Sequence, residues 1–148
     1  MKYYMSYTVL ILPLIIILNV ATVNAMWVKL SDEELTKQSD VIITAELIGE
    51  VPIMINHDKI VIGVLKVEDV LKGDRDQTAL LLALPSSKGV YMSEDIFYKK
   101  GQKGLWFLRE RKAKGEEGIY LADHPQRFLS AEHAADKIRA IKKSIKNN

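Results

Sequence analysis

Two histidines beside carboxylates, late in the chain, are the first residues to test for chemistry. His124 follows Asp123, and His133 follows Glu132 with Asp136 three positions further on. Imidazole and carboxylate are the donors of zinc sites and of general acid–base catalysis. His124 and His133 therefore define one reading, a metal-binding protein or small hydrolase. Against it, zinc needs three or four convergent ligands, and the pair of histidines four apart around a glutamate is missing. None of the 148 residues is cysteine, which removes zinc ribbons, iron–sulfur clusters, thiol catalysis and disulfide scaffolds together. There is no Gly-x-Ser-x-Gly elbow. Ser86-Ser87-Lys88 lies in a turn-like Pro/Ser stretch. The pairs Glu68-Asp69 and Glu116-Glu117 are adjacent, so a strand turns their members to opposite faces and neither acid raises the other. The residues thus point to no catalytic set, no metal and no cofactor. The expected function is non-enzymatic binding. The candidate surface is Tyr91, Phe97, Tyr98, Lys99 and Lys100, in and just after a stretch (85–98) too apolar for a free linker and too long for a plain connection. The same segment could equally plug the end of a core through Ile96, Phe97 and Tyr98.

Residues 1–25 read as targeting. Lys2 is their one charge, residues 9–18 are a short apolar core, and Val23-Asn24-Ala25 supplies the small residues of a cleavage site. The apolar core is well short of the ~20 residues of a spanning helix. Cleavage after Ala25 is expected, with a secreted or periplasmic product, residues 26–148, that keeps no stable membrane span. One domain of that size buries roughly two-thirds of its surface, enough for a core without sulfur bridges.

The elements that would position the candidate surface are legible from periodicity. Ser31 and Glu34 have the spacing of a capping box ahead of a short helix over 32–38. Residues 41–51 alternate as a strand, disturbed by Gly49 and Pro52 and continued by Ile53-Met54-Ile55. A turn over 56–59 leads into a second strand that ends at Lys72-Gly73, where glycine allows a positive φ. Residues 78–84 (TALLLAL) read as a third strand, buried on both faces. Residues 104–111 and 119–122 form a second hairpin. Ala134, Ile138, Ile141 and Ile145 recur at helical spacing in a C-terminal helix over about 131–146.

Five strands, the first long and bent, make a β-barrel the expected fold: mainly β with α, a five-stranded closed or partly open OB-fold-like barrel over 39–122 with two flanking helices. The strand 41–51, the run Val67-x-x-Val70-Leu71-Lys72-Gly73 and the later Gly101-x-x-Gly104-Leu105-Trp106-Phe107-Leu108 resemble the netrin-like module shared with tissue inhibitors of metalloproteinases. They are also similar to small exported bacterial proteins without an assigned activity. The resemblance implies a shape only. The inhibitors chelate their target's metal with an N-terminal cysteine, and this chain has none.

Charge is split along the chain. Between Met26 and Phe97 there are 7 Lys+Arg against 13 Asp+Glu, and between Tyr98 and Asn148 there are 13 against 6. One reading is polyanion binding by the basic C-terminal half; the other is that the two halves attract each other across one globule. Nucleic acid is not expected, because the second and third strands carry no aromatic on which a base could stack. The expected partner is an extracytoplasmic protein or a polyanionic ligand.

Overall fold

The structure, a computed structural model, describes residues 27–55, 57–85 and 95–146. The expected leader and its cleavage site, and Tyr91 of the candidate surface, lie outside the described residues.

Helix α1 (Asp32–Lys37) begins at the capping box that the spacing anticipates. The Glu34 amide donates to Ser31 Oγ (3.2 Å) and the Ser31 amide to Glu34 Oε2 (2.8 Å), so two otherwise orphaned donors are satisfied. At the other end Lys72 Nζ donates to the Thr36 and Ser39 carbonyls (3.0 and 2.5 Å), placing a cation on the negative pole of the helix. The Ser31 amide, and after it the Ser31 hydroxyl, holds the Glu34 carboxyl below its usual value. A lowered carboxyl stabilises the fold above its unfolded value, ~4.3, and that stability is lost as pH falls through the lower folded value. In a carboxyl-carbon NMR titration, Ser31→Ala is expected to move Glu34 back up toward the ordinary range. An unchanged Glu34 titration would show that the Ser31 hydroxyl does not bond the Glu34 carboxylate in solution.

Strands β1 (Val41–Ile55) and β2 (Asp58–Lys72) are each fifteen residues long and pair antiparallel along almost their whole length. The bend anticipated at Gly49 appears as a register shift between Leu47 and Gly49. His57 turns the hairpin with φ 73°, and Gly73 leaves β2 with φ 117°. Three strands of modest length follow: β3 (Ala79–Leu84), β4 (Lys103–Glu110) and β5 (Ile119–Leu121). A 3-10 turn, Pro125–Arg127, then leads to β6 (Phe128–Ser130) and helix α2 (Ala131–Lys146).

The order β1-β2-β3-β5-β4-β6, with a further β1–β4 pairing, corrects the expected barrel. The sheet is six-stranded and mixed, with β3 and β5 parallel, rather than a five-stranded closed or partly open OB-fold barrel. β5 supplies the reason. Confined between Gly118 and the 3-10 turn, it has three residues and makes only two residue pairs with β3 and two with β4. The pairings run on from β3 through β5 to β4 and back to β1, but at β5 the sheet is held by these two short ladders alone. The residues that carried the netrin-like resemblance have local roles instead. Positions 67–73 finish β2, Gly101 takes a positive φ in a turn, and Gly104 lies against β6, a strand that sequence periodicity misses.

Apolar side chains fill both faces of the sheet. β4 shows why, because its run Leu105-Trp106-Phe107-Leu108 is fully buried and alternates between two layers. Trp106 and Leu108 join Ile43, Leu47, Leu65 and Leu82 on one side; Leu105 and Phe107 join Leu35 of α1 and Ala134 and Ile141 of α2 on the other. Each such side chain contributes about 1.5–3 kcal/mol on leaving water. Two expectations of burial are corrected. β3 is buried on one face only, Leu80 and Leu82 inward and Leu81 exposed, and Ile145 near the end of α2 is exposed as well.

The charge split also finds its place. Lys103 pairs with Glu68 (2.7 Å), Lys142 with Asp69 (2.7 Å) and Lys137 with Asp32, each a cation of the C-terminal half on an acid of the N-terminal half. Pairs as exposed as these add little to stability.

Candidate interaction surface

The two histidines are apart and differently employed. His124 caps the 3-10 turn: its Nδ1 accepts from the Gln126 amide (3.2 Å), and its Nε2 lies 3.0 Å from the Val28 carbonyl. Both ring nitrogens are thus engaged by backbone. His133 is exposed in the first turn of α2. Among the described residues no group of three or more His, Cys, Asp or Glu side chains is arranged to hold a metal ion.

Of the sequence-derived surface residues, Phe97, Tyr98, Lys99 and Lys100 are described. Tyr98 turns inward, edge-on to Trp106 and Phe128 at centroid distances of 4.9 and 5.8 Å, and its hydroxyl donates to the Ala122 carbonyl (2.8 Å). Burial, with a smaller effect from Asp123, pushes its phenol well above the ordinary range, while Arg127 acts in the opposite sense. Phe97 is 50 % exposed, and Lys99 and Lys100 are exposed at the turn into Gly101. The Lys99 amide donates to Gln102 Oε1 (2.7 Å), which pins that turn.

A different set of residues forms a patch. Beyond Gly49, β1 pairs with β2 alone, because β4 covers only residues 41–46. The distal halves of β1 and β2 therefore project as a ribbon, and β3 flanks β2 from Val61 to Lys66. Directly opposed residues share a face. Val51 opposes Ile62, which opposes Ala83; Ile53 opposes Ile60; and Val64 opposes Leu81. Their neighbours Gly63 and Leu65 face the inner cluster beside Leu47, Leu82 and Leu84, so this second face is the outer one. It is a three-stranded apolar surface with Ile62 at its centre, 2 % exposed, and with Val51 (49 %) and Leu81 (41 %) on either side. None of these side chains belongs to either core cluster. By period two, residues 60–66 carry apolar side chains on both faces of β2. Only the register reveals that the second face is left without α1 or α2 upon it.

The ribbon's free edge is protected. Pro52 lies within the unpaired stretch of β1, and a residue without an amide blunts an edge against strand addition. The edge is therefore a poor template for strand addition, while Val51 and Leu81 stay exposed on the face.

Sequence reading missed a further cluster. Arg127, 3 % exposed, donates from Nη1 to Ser39 Oγ (3.2 Å) and to the Phe107 carbonyl (3.3 Å), with Nε 3.2 Å from Asp123 Oδ1. Asp123 is also paired with Arg109. Burial lowers the Arg127 guanidinium from its usual value, and Asp123 opposes that shift. The signal was faint: an arginine one residue before the apolar pair Phe128-Leu129, just after a proline that stops β structure.

No protein-family model matches the chain, and no curated protein matches it. Among the described residues no helix is long and apolar enough to cross a membrane.

Proposed function

We propose that this chain is an exported, non-enzymatic binding module that docks another protein on the outer face of the β1–β2 ribbon. The observation that carries the reading is the pair Val51 and Leu81, 49 and 41 % exposed, flanking the buried Ile62 on one three-stranded sheet face. Contiguous exposed apolar surface costs solubility unless something covers it, and on soluble proteins such patches mark interaction sites. The leader-like residues 9–25 support export, and an extracytoplasmic protein is the partner that follows. The polyanion reading is the weaker one, since Lys103, Lys137 and Lys142 already hold acids.

The test is the pair of substitutions Val51→Glu and Leu81→Glu together, purified from the native secreted or envelope fraction beside the unaltered protein. Both positions are exposed, so the melting temperature is expected to stay within about 3 °C. Recovery of the co-purifying protein is expected to fall by roughly tenfold or more, as when charge enters the centre of an interface. Full recovery of that protein by the doubly substituted chain would end the proposal.

A further inference from the structure

The segment before α1 is strapped to the 3-10 turn by side chains that read its backbone. The Gln126 amide group makes two bonds to one residue, accepting from the Leu30 amide (2.7 Å) and donating to the Leu30 carbonyl (2.9 Å). Two residues earlier the Val28 carbonyl meets His124 Nε2 at 3.0 Å, and the Trp27 ring stands edge-on to the imidazole with centroids 5.1 Å apart. Leu30 packs on the cluster beneath the helices, whereas Val28 is exposed. The strap's hold beyond Leu30 therefore passes through a single imidazole.

That imidazole has one workable protonation state. Nδ1 accepts from the Gln126 amide, so it must carry a lone pair, and Nε2 must carry the hydrogen that reaches the Val28 oxygen. A second proton goes onto Nδ1 and sets N–H against N–H across 3.2 Å. The ring then has to leave the cap, and it takes with it both the Val28 bond and the face on which Trp27 rests.

We propose that His124 is a pH-sensitive latch: protonation of its ring releases the strap Trp27–Val28 and loosens the Gln126 clamp on Leu30, while the sheet stays folded. The charged groups around it leave this lock in place. Asp123, adjacent in sequence, directs its carboxylate to Arg109 and Arg127. Arg127 turns its guanidinium inward to Ser39 and Phe107. Lys29, on the strap itself, is exposed. No carboxylate is bonded to the imidazole, so the one gain of a cationic ring is a stronger bond from Nε2 to the Val28 carbonyl, set against N–H facing N–H at the cap. Release on acidification would bare Trp27 and the backbone-reading pair His124 and Gln126.

Amide NMR spectra recorded from about pH 7.5 down to about pH 5 test this on the unaltered protein and on His124→Asn. Asparagine keeps a capping acceptor that does not titrate in this range. The signals to follow are the Leu30 and Gln126 amides and the Trp106 indole N–H, which donates to the Ala45 carbonyl inside the core (3.0 Å). In the unaltered protein the Leu30 and Gln126 signals should move together to positions typical of free chain while the Trp106 signal stays. In His124→Asn they should hold still. Gln126→Ala, which removes the side-chain clamp but keeps the backbone amide on His124, should show the Leu30 signal at its released position already at the upper pH while the amide of residue 126 still moves on acidification. The latch is overturned if Leu30 and Gln126 do not move in the unaltered protein. It is equally overturned if they move alike in His124→Asn, which would assign the change to another group, or if Trp106 is lost with them, which would be unfolding of the domain.

Discussion

Replacing Gly104 with alanine is expected to cost about 3–5 kcal/mol, most of the margin of a domain whose total stability is of order 5–15 kcal/mol. The reason is backbone. A Cβ at position 104 would be driven deep into the Leu129 carbonyl oxygen and would stand 2.9 Å from the Phe128 ring. Gly104 pairs with Ser130 at the β4–β6 seam, so neither partner can retreat without parting the two strands. A flexible side chain would rotate away at small cost; a carbonyl held in a ladder does not. Urea unfolding checks this. The midpoint should fall sharply with little change in slope, while Gly49→Ala, where an added methyl meets nothing within 4 Å, should stay within about 0.5 kcal/mol. Equal stability of Gly104→Ala and the unaltered chain would mean that β6 does not lie where the structure has it.

Arg127→Met is the second large effect, about 3 kcal/mol and a drop of roughly 10 °C or more in melting temperature. Methionine fills much of the volume and supplies no donor. The Phe107 carbonyl and the Ser39 hydroxyl lose a bond in a dry site, and Asp123 keeps only Arg109. Arg127 ties β4, the end of α1 and the 3-10 turn to one point. Lysine should not rescue it, because one ammonium cannot serve Ser39, Phe107 and Asp123 at once. Calorimetry of Arg127→Met and Arg127→Lys decides the matter, and melting of Arg127→Met within about 2 °C of the unaltered protein would show that the cluster contributes no stability.

These two positions mark where sequence reading succeeds and where it stops. Gly104 stood out in the sequence as part of a glycine pattern, but the reason for it, β6, is a three-residue strand too short for any period to show. Arg127 looked like any surface cation, and its burial depends on Ser39 and Phe107, which are 88 and 20 residues away in the chain. Local chemistry was fully legible. The spacing of Ser31 and Glu34 fixes a capping box without help from the rest of the fold, and Lys72-Gly73 ends β2 where a positive φ is needed. Burial by a second layer was not legible, because composition does not say which face a helix will cover. TALLLAL was read as covered on both sides, yet Leu81 faces outward beside Val64. The barrel reading failed for the same reason. Strand number and a bend can be read from residues, whereas the length of β5, and with it the closure of a wall, is set by how Gly118 and Pro125 confine three residues between them.

That outward apolar face is also the candidate site, and the composition of 78–84 alone places its β3 residues in a core. The surface proposed from sequence, Tyr91, Phe97, Tyr98, Lys99 and Lys100, was chosen because apolar residues in a long polar stretch attract attention. Tyr98 in fact braces Trp106 and Phe128. Residues on a regular strand drew no such attention, because their periodicity was already explained by structure.

Photo-crosslinking in the producing cells tests the interaction face most directly. A benzophenone side chain would be placed at position 51 or 81, on the outer face, and at position 139, on the exposed side of α2. The account predicts one discrete adduct from positions 51 and 81 and none from 139. Adducts formed as readily from 139, or no adduct from either position on the ribbon, would contradict it.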